Sequence, residues 1–365
     1  MQLIQIPRRF VYGKGAISRL EATCESIGLN KSDRLVTVSG SSATKRIAEA
    51  KVLPLIEDSY QAELVVVEND NLGISGLETV LNSLQGGKAT LIACGGGRVM
   101  DLVKIAASIT SSSWISFPTS ASHDGFSSPF IGYLLRQELE KLKKGNKGPK
   151  YPDYDPISPI AIVADIKFVK EASYSFLAAG FCDLIAKRTA YADWQLANRL
   201  RGEYFDEHAA TFGLFSGEIA EKGIKLVANG HERGFGLVVQ ALGNSGIAMS
   251  LAGNSRPASG SEHLISHYLD TLSIKHGLKS GLHGFQVGLA TIITSYLHAM
   301  NWEKVKALLE QVKAPVTVKE LGIDREILLD ALLNAHKIRP DRYTILGDGL
   351  NREAAENAVE VTGTG

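Results

Sequence analysis

Ala89-Thr90-Leu91-Ile92-Ala93-Cys94 runs straight into Gly95-Gly96-Gly97, and Arg98-Val99-Met100-Asp101 resumes with the spacing of a helix's first turn. An apolar run of this length closed by turn residues reads as a buried strand. Glycines between a strand and a helix let backbone N–H groups approach a phosphate closely, and the helix N-terminus adds a favourable dipole. The spacing is neither G-x-G-x-x-G nor the Walker pattern, since no Lys-Ser or Lys-Thr follows. A plain tight turn would use the same glycines; their place at a strand's carboxyl end favours phosphate binding.

The same texture recurs on both sides of this loop. Arg34 to Val38 ends in Ser39-Gly40-Ser41-Ser42, Glu63 to Val67 ends in Glu68-Asn69-Asp70, Trp114 to Phe117 ends at Pro118, and Pro159 to Ala164 ends at Asp165. A helical pattern over Ala43 to Ile56 lies between the first two, so the reading is βαβ, with a parallel sheet that binds ligands beyond its carboxyl ends. From about Glu171 the β-branched runs give way to helical spacing, as in Phe176 to Leu200 and Gly236 to Leu251. The expected fold is therefore α/β: a Rossmann-like parallel-sheet domain over 1–170 that binds a dinucleotide, then an all-helical domain over 171–365 that binds metal and substrate. A chain of 365 residues exceeds the usual size of one core, so two lobes and a cleft are expected. Leu134 to Pro156 is highly charged and reads as a solvated helix or hairpin arm plus loop, with lysines that could draw an anionic substrate. Val361 to Gly365 reads as a frayed tail.

Hydrophobic residues make up 44% of the chain and 39 basic side chains balance 39 acidic ones, which excludes disorder and gives no electrostatic footprint for nucleic acid. No secretory signal opens the sequence, and no apolar stretch approaches the roughly 20 residues of a membrane span. Cys24, Cys94 and Cys182 are odd in number and far apart, against a disulfide framework or a thiolate zinc site. A reducing compartment, the cytoplasm, fits these features.

Two further groups of residues have the chemistry of a site. Pro118-Thr119-Ser120-Ala121-Ser122-His123-Asp124-Gly125 closes the next strand on the same edge as the glycines; its small hydroxyls suit a cofactor and Asp124 suits a substrate hydroxyl, although an ST-turn or Asx-turn uses the same residues. In the helical half, Asp183, His263 and His283 offer one carboxylate and two imidazoles, a set that suits zinc or another borderline divalent ion with a position left open. His263 and His267 stand four apart and share a helix face. Spacing alone leaves these as ordinary hydrogen-bonded side chains or as metal ligands. The absence of HExxH disfavours a zincin protease.

Taken together, GGGRVMDLVK from Gly95, PTSASHDGFSSP from Pro118, GFCDLIAK from Gly180, SRPASGSEHLISH from Ser255 and LHGFQVG from Leu282 resemble the sn-glycerol-1-phosphate dehydrogenase family. That family sits in the superfamily of glycerol dehydrogenase, iron-type alcohol dehydrogenases and dehydroquinate synthase. The resemblance spans Gly95 to Gly288 in the family's order. It implies a dehydroquinate synthase-like fold and NADH- or NADPH-dependent reduction of dihydroxyacetone phosphate to sn-glycerol-1-phosphate, the backbone of archaeal-type membrane phospholipids. It further implies one Zn2+ per subunit on Asp183, His263 and His283, and a homo-oligomer, dimer or larger. Gly95, Gly96, Gly97, Arg98, Val99, Met100 and Asp101 match a cofactor loop, as do Thr119, Ser120, Ala121 and Ser122, with Ser128 beside the nicotinamide. Asp124 and His267 match substrate contacts and are the catalytic candidates, and Asp183 would contact substrate as well as metal. Two departures stand out: the long charged 134–156 segment, and Phe285 where an acidic residue is frequent.

For the substrate phosphate the expected partners are Arg256, a planar multi-donor fork, and then Lys187. Three competing functions remain open. A polyol dehydrogenase would use the same machinery on an unphosphorylated substrate. A dehydroquinate synthase-like lyase resembles a motif with Asn three residues before the first His, where this chain has Gly260, and with Glu where it has Asp183. A non-catalytic nucleotide-binding module would not need the three metal ligands. On the 2′ side of the cofactor, Ser39, Ser41, Lys45 and Arg46 could accept a phosphate without deciding between NADH and NADPH.

Overall fold

The computed structural model describes residues 4–68, 73–144, 155–277 and 281–365. Contacts divide the chain into two compact units, one of 1–121 with 125–172 and the other of 122–124 with 173–365. The three-residue excursion of Ser122–Asp124 into the helical unit has no signature in the sequence.

The first unit is built on a six-stranded sheet of order β1-β6-β5-β4-β2-β3. Its strands are β1 (Arg9–Gly13), β2 (Arg34–Gly40), β3 (Gln61–Val67), β4 (Thr90–Gly95), β5 (Trp114–Pro118) and β6 (Ala161–Asp165), and every neighbouring pair is parallel. β4, β5 and β6 are buried along their whole length, which is why they read as unbroken apolar runs rather than alternating ones. β1 went unread because Arg9-Phe10-Val11-Tyr12-Gly13 is an edge strand with mixed exposure and no clear alternation. The chain steps from β2 outward to β3 and then returns to the other side of β2 for β4, so its direction of winding reverses between β2 and β4. Such a switch point opens a crevice at the carboxyl ends of the strands. Gly95 is level with Pro118 in the β4–β5 register, so both loops leave the same edge.

The second unit is helical. Its segments include Tyr174–Ile185, Lys187–Arg201, Glu207–Lys222, Glu232–Ala252, Ser261–His276 and His283–Leu297. The expected continuous pattern over Phe176 to Leu200 is two helices that meet at Ala186. Glycines set the closest helix contacts: a Cβ on Gly288 would sit 2.9 Å from Cys182 Cβ, and one on Gly217 2.5 Å from the Leu184 carbonyl. These close approaches draw the His283 helix and the Glu207–Lys222 helix against the helix that carries Asp183.

One sequence expectation is refined here and another is corrected. Glu232–Ala252 is long and apolar enough to cross a membrane by length and composition, with 61% of its apolar window buried inside the protein. In the sequence Glu232, Arg233, Gln240 and Asn244 interrupt the apolar run, whereas a helix can turn such residues to one side. The C-terminal residues are not frayed either: Arg352–Thr362 is helical, Thr364 is buried, and the Thr364 carbonyl accepts from Val318 N–H at 2.8 Å. The charged segment is helical over Tyr133–Lys144, and its residues 145–154 lie outside the described residues.

Candidate active site

In the sheet unit, β4 delivers its backbone into a helix, Gly97–Ile109, with Gly96 as an extended N-cap that has no side-chain partner for the first N–H groups. Those donors are therefore available to an anion. Gly95 has to be glycine, because a Cβ there would lie 2.8 Å from Val99 Cγ2. A Cβ on Gly96 would come within 3.6 Å of Ser120 Oγ, which brings the two loops side by side. Asp101 is a clamp in this structure: Oδ1 accepts from Lys104 Nζ at 3.2 Å and Oδ2 from Gly132 N–H at 2.8 Å. Lys104, almost fully buried, also donates to the Phe130 carbonyl at 2.7 Å. Ser128, buried, accepts from Phe130 N–H at 3.0 Å. Both carboxylate oxygens of Asp101 and the Ser128 hydroxyl thus shape the segment 128–132 before any ligand arrives. Of the other loop residues, Val99, Met100 and Ala121 are buried, and Thr119 N–H bonds the Gly95 carbonyl at 3.1 Å. Arg98 is exposed.

In the helical unit, Asp183, His263 and His283 each place a ligand atom within 4.8 Å of the others. Asp183 comes from the Tyr174–Ile185 helix, His263 from the first turn of Ser261–His276, and His283 is the first residue of its helix. The imidazoles are held from behind. His263 Nδ1 is 2.8 Å from Glu262 Oε1, leaving Nε2 3.3 Å from Asp183 Oδ1. His283 Nδ1 is 3.1 Å from Ser266 Oγ, whose hydroxyl donates to Gln286 Oε1 at 2.7 Å; Gln286 in turn donates to Asp270 at 3.1 Å. With both Nδ1 atoms engaged, both Nε2 atoms are left to face one point, the arrangement that orients metal-bound histidines. Glu262 is itself buried and fixed by Gly260 N–H at 2.6 Å and Thr189 Oγ1 at 2.7 Å. This donor set, with its orienting carboxylate and hydroxyl, fits a borderline divalent ion with room for a further ligand.

The electrostatics follow from burial. Burial would raise the Asp183 carboxyl, but the Lys187 ammonium and the His263 ring hold it far below its ordinary range. Burial lowers the His283 ring to about 3, helped by the neighbouring His263. Burial also pushes His267 well below its ordinary value, followed by the charges of His283 and His263. His267 stacks near the centre, its ring 5.9 Å from that of His283 and 6.1 Å from that of His263.

The structure assigns different partners to the two cations expected to take the phosphate. Lys187 is fully buried and spends its three protons on Asp124 Oδ2 at 2.9 Å, Asp183 Oδ1 at 3.1 Å and the Ala258 carbonyl at 3.2 Å. It has no donor left for a substrate. Arg256 pairs with Glu203 through Nε, at 2.7 Å, and Nη2, and donates to the Tyr343 carbonyl at 2.9 Å. Its charge is already met. Asp124 is anchored by Lys187, by Ser245 Oγ at 2.7 Å and through its own N–H to Asp183 Oδ2 at 3.2 Å. Glu262, Ser266, Gln286, Thr189 and Ser245 are not legible as site residues from sequence; Glu262, Ser266 and Gln286 lie within the motif stretches around the ligands, whereas Thr189 and Ser245 lie outside them. The ring of His123 also lies 6.0 Å from that of His283, edge to face.

A dinucleotide-type sheet joined in one chain to a helical unit with a carboxylate–diimidazole centre defines the class, a metal-dependent dehydrogenase. Consistent with this, residues 11–173 match the family model described as iron-containing alcohol dehydrogenase. A glycerol-1-phosphate dehydrogenase [NAD(P)+] of Thermococcus kodakarensis is 40% identical over 364 residues, covering 100% of this chain and 98% of the relative. The enzyme of the same name from Pyrococcus furiosus is 41% identical over 365 residues, covering 100% and 99%. Among solved structures, glycerol dehydrogenase from Schizosaccharomyces pombe superposes with TM-score 0.72 at 17% identity, over 99% of this chain and 90% of that one. The chain belongs to the glycerol-1-phosphate dehydrogenase family and is an oxidoreductase.

Proposed function

We propose that this chain reduces dihydroxyacetone phosphate to sn-glycerol-1-phosphate at the expense of NADH or NADPH, with one zinc ion per subunit. The observation that carries the reading is the convergence of Asp183, His263 and His283 on one point, with Glu262 and Ser266 fixing the rings. An ion held there would supply Lewis-acid polarisation of the C2 carbonyl, and the reduced nicotinamide the hydride. The protein's own part is positional. Lys187 neutralises and locks Asp124 and Asp183, so that Asp124 fixes the terminal hydroxyl of the substrate in one orientation. His267, whose ring stacks on that of His283 at 5.9 Å, orients a substrate hydroxyl or joins a relay that carries a proton from solvent to the C2 oxygen. Gly96, Gly97 and the free N–H groups of the Gly97–Ile109 helix cradle the cofactor's pyrophosphate, with Thr119, Ser120 and Ser122 along its length and Ser128 beside the nicotinamide. The product suits the glycerophosphate backbone of archaeal-type lipids, made in the cytoplasm by a homo-oligomer.

The deciding experiment follows cofactor oxidation with dihydroxyacetone phosphate and determines the configuration of the product. A product of sn-3 configuration would sink the assignment. A polyol dehydrogenase is the second reading, because Asp183, His263 and His283 would serve an unphosphorylated substrate equally well; reduction of dihydroxyacetone as fast as its phosphate would favour it. A lyase of the dehydroquinate synthase type is disfavoured at residue 260, where the motif needs an Asn and a Cβ would lie 2.5 Å from Asp193 Oδ2 and 2.8 Å from Ala190 Cα.

A further inference from the structure

With Lys187 and Arg256 both committed inside the protein, a phosphate needs another cation. The helical unit holds a cavity of about 490 Å³ lined in part by Arg201, Glu203, His336, Asp341, Arg342 and Tyr343. Its cations are unequal. Arg201 lies over the Tyr343 ring, 4.6 Å from the centroid, and 3.9 Å from Asp348. Arg339, next to the cavity lining in sequence, is paired with Asp341 at 3.1 Å, and Arg256 with Glu203. Arg342 differs from all of these. It is 8% exposed and donates to two neutral acceptors, the Ser259 carbonyl at 2.9 Å and Ser255 Oγ at 3.0 Å. Among the described residues it forms no ion pair, since the carboxylates that act on it, Asp341 and Glu203, already serve Arg339 and Arg256. Burial, then the charges of Arg339 and Arg256, push its pKa down to about 9, so the fold works against the charge it holds.

A guanidinium taken out of water beside two other cations is costly unless an anion completes it. The position is also telling. Ser259, which Arg342 grips, immediately precedes Gly260, the N-cap of the helix that carries His263 and His267, and the Arg342 charge is felt at the His267 ring. The RPASGSEH stretch thus ties this arginine to the ligand helix.

We propose that Arg342 receives the phosphate group of the substrate, and so sets the preference for a phosphorylated over an unphosphorylated ketone. This rests on the reading of the substrate as a phosphorylated ketone. The planar fork offers the paired donors that phosphate oxygens accept, and the bound dianion supplies the missing counter-charge.

The test uses the full-length, metal-loaded enzyme and compares wild type with Arg342→Lys and Arg342→Met. For each, kcat/KM is measured with dihydroxyacetone phosphate and with dihydroxyacetone, and inorganic phosphate is tried as a competitive inhibitor and as a thermal protectant. The expected result is a fall of about 10- to 100-fold in the ratio of the two kcat/KM values, mainly through KM for the phosphate ester, with loss of phosphate inhibition and protection. Because the Met variant removes a buried charge that lacks a carboxylate, its thermal stability without phosphate should stay near that of wild type, a result a merely structural arginine would not give. Should Arg342→Met fail to fold, Arg342→Lys carries the same comparison, since it keeps the charge and loses the fork. A wild-type enzyme selective for the phosphate ester whose ratio both variants leave intact, or whose two activities fall in parallel in the variants, would overturn the role of Arg342. Phosphate protection lost without a change in that ratio would overturn it too, by assigning the anion to a separate effector. Wild-type protein that reduces dihydroxyacetone as readily as its phosphate would instead overturn the substrate reading.

Discussion

Lys187 opens the helix that follows the one carrying Asp183, four residues on, and places its ammonium 3.1 Å from the Asp183 carboxylate, with neither side chain exposed to solvent. Burial alone would lower the lysine pKa, but the charges of Asp124 and Asp183 reverse this and raise it. Lys187 thus balances the two carboxylates from within the protein.

Replacing Lys187 by Met should unbalance them. Asp183 and Asp124 would be left without their shared cation, and breaking a buried pair by removing one partner costs about 3–5 kcal/mol. Denaturant unfolding of the metal-free variant should show a loss of this order against metal-free wild type. Zinc should restore part of the difference by meeting the Asp183 charge. Equal midpoints for the two metal-free proteins would show that the lysine is not needed to hold the carboxylates.

Asp183→Ala removes the one carboxylate among the three proposed ligands. Bound zinc, measured by elemental analysis after gel filtration, should fall from about one per subunit to near zero, and kcat/KM should drop by about 1,000-fold or more, as befits loss of several kcal/mol of transition-state stabilisation. The proposed cofactor loop lies in the other compact unit, so NAD(P)H binding followed by fluorescence should change little. An active, zinc-free variant would remove the Lewis-acid role.

Glu262→Gln tests the residue behind His263. The carboxylate lies 2.8 Å from His263 Nδ1, fixing the ring so that Nε2 faces Asp183. An amide can still accept a hydrogen bond but loses the charge that makes the imidazole a stronger ligand, and changes of this kind lower metal affinity by about 10- to 100-fold. Competition with a chromogenic chelator would read the change. Unaltered affinity would reduce Glu262 to a helix-end hydrogen bond.

The legible and illegible parts of this molecule divide along physical lines. β2, β4, β5 and β6 could be read because a strand buried on both faces is apolar throughout, and the loops after β4 and β5 announce themselves by glycine and small hydroxyls. β1 is an edge strand five residues long whose pairing partner, β6, lies some 150 residues away, and that pairing is invisible locally. In the site, Asp183, His263 and His283 stand out through the family resemblance of their motifs, since their spacing alone suits ordinary hydrogen-bonded side chains equally well. The partners that give those residues meaning are contacts at a distance: Glu203 claims Arg256 across 53 positions, and Ser245 reaches Asp124 across 121. A sequence shows which side chains carry charge, but not which of those charges are already neutralised.

The three cysteines give an independent check on the packing. All are buried, and burial raises the Cys24 and Cys94 thiols to about 12. With so little thiolate and no access, none should react with a thiol reagent at pH 8 in the native state, while three equivalents should react in denaturant. The sign of the pH effect on stability follows. A thiol whose folded pKa lies above its unfolded value stabilises fully below about pH 9 and progressively less as pH rises towards 12, because only the unfolded chain ionises there. The denaturation midpoint should therefore decline through that window. A native cysteine that reacts rapidly at pH 8 would contradict the burial.

Gly260 separates this chain from a synthase-type site by geometry rather than by motif. Its φ of −119° is one that any residue adopts, so conformational freedom is not what glycine provides. The requirement is space: a Cβ would meet Asp193 Oδ2 at 2.5 Å and Ala190 Cα at 2.8 Å. Asp193 cannot move aside cheaply, because its buried carboxylate accepts from Ser261 N–H at 2.6 Å, His298 Nε2 at 2.9 Å and Ile345 N–H at 2.7 Å. Gly260→Ala should therefore cost at least the 1–3 kcal/mol typical of overpacking, and Gly260→Asn more. Because Gly260 caps the His263 helix, zinc affinity should fall with stability. Gly236→Ala serves as the control: a Cβ there meets nothing within 4 Å, and within a helix the change should be neutral or stabilising by about 0.5–1 kcal/mol. If Gly260→Asn matched wild type in melting temperature and zinc content, the close approach at residue 260 would not be what bars an amide from this site, and the argument against a synthase-type centre would lose its physical basis.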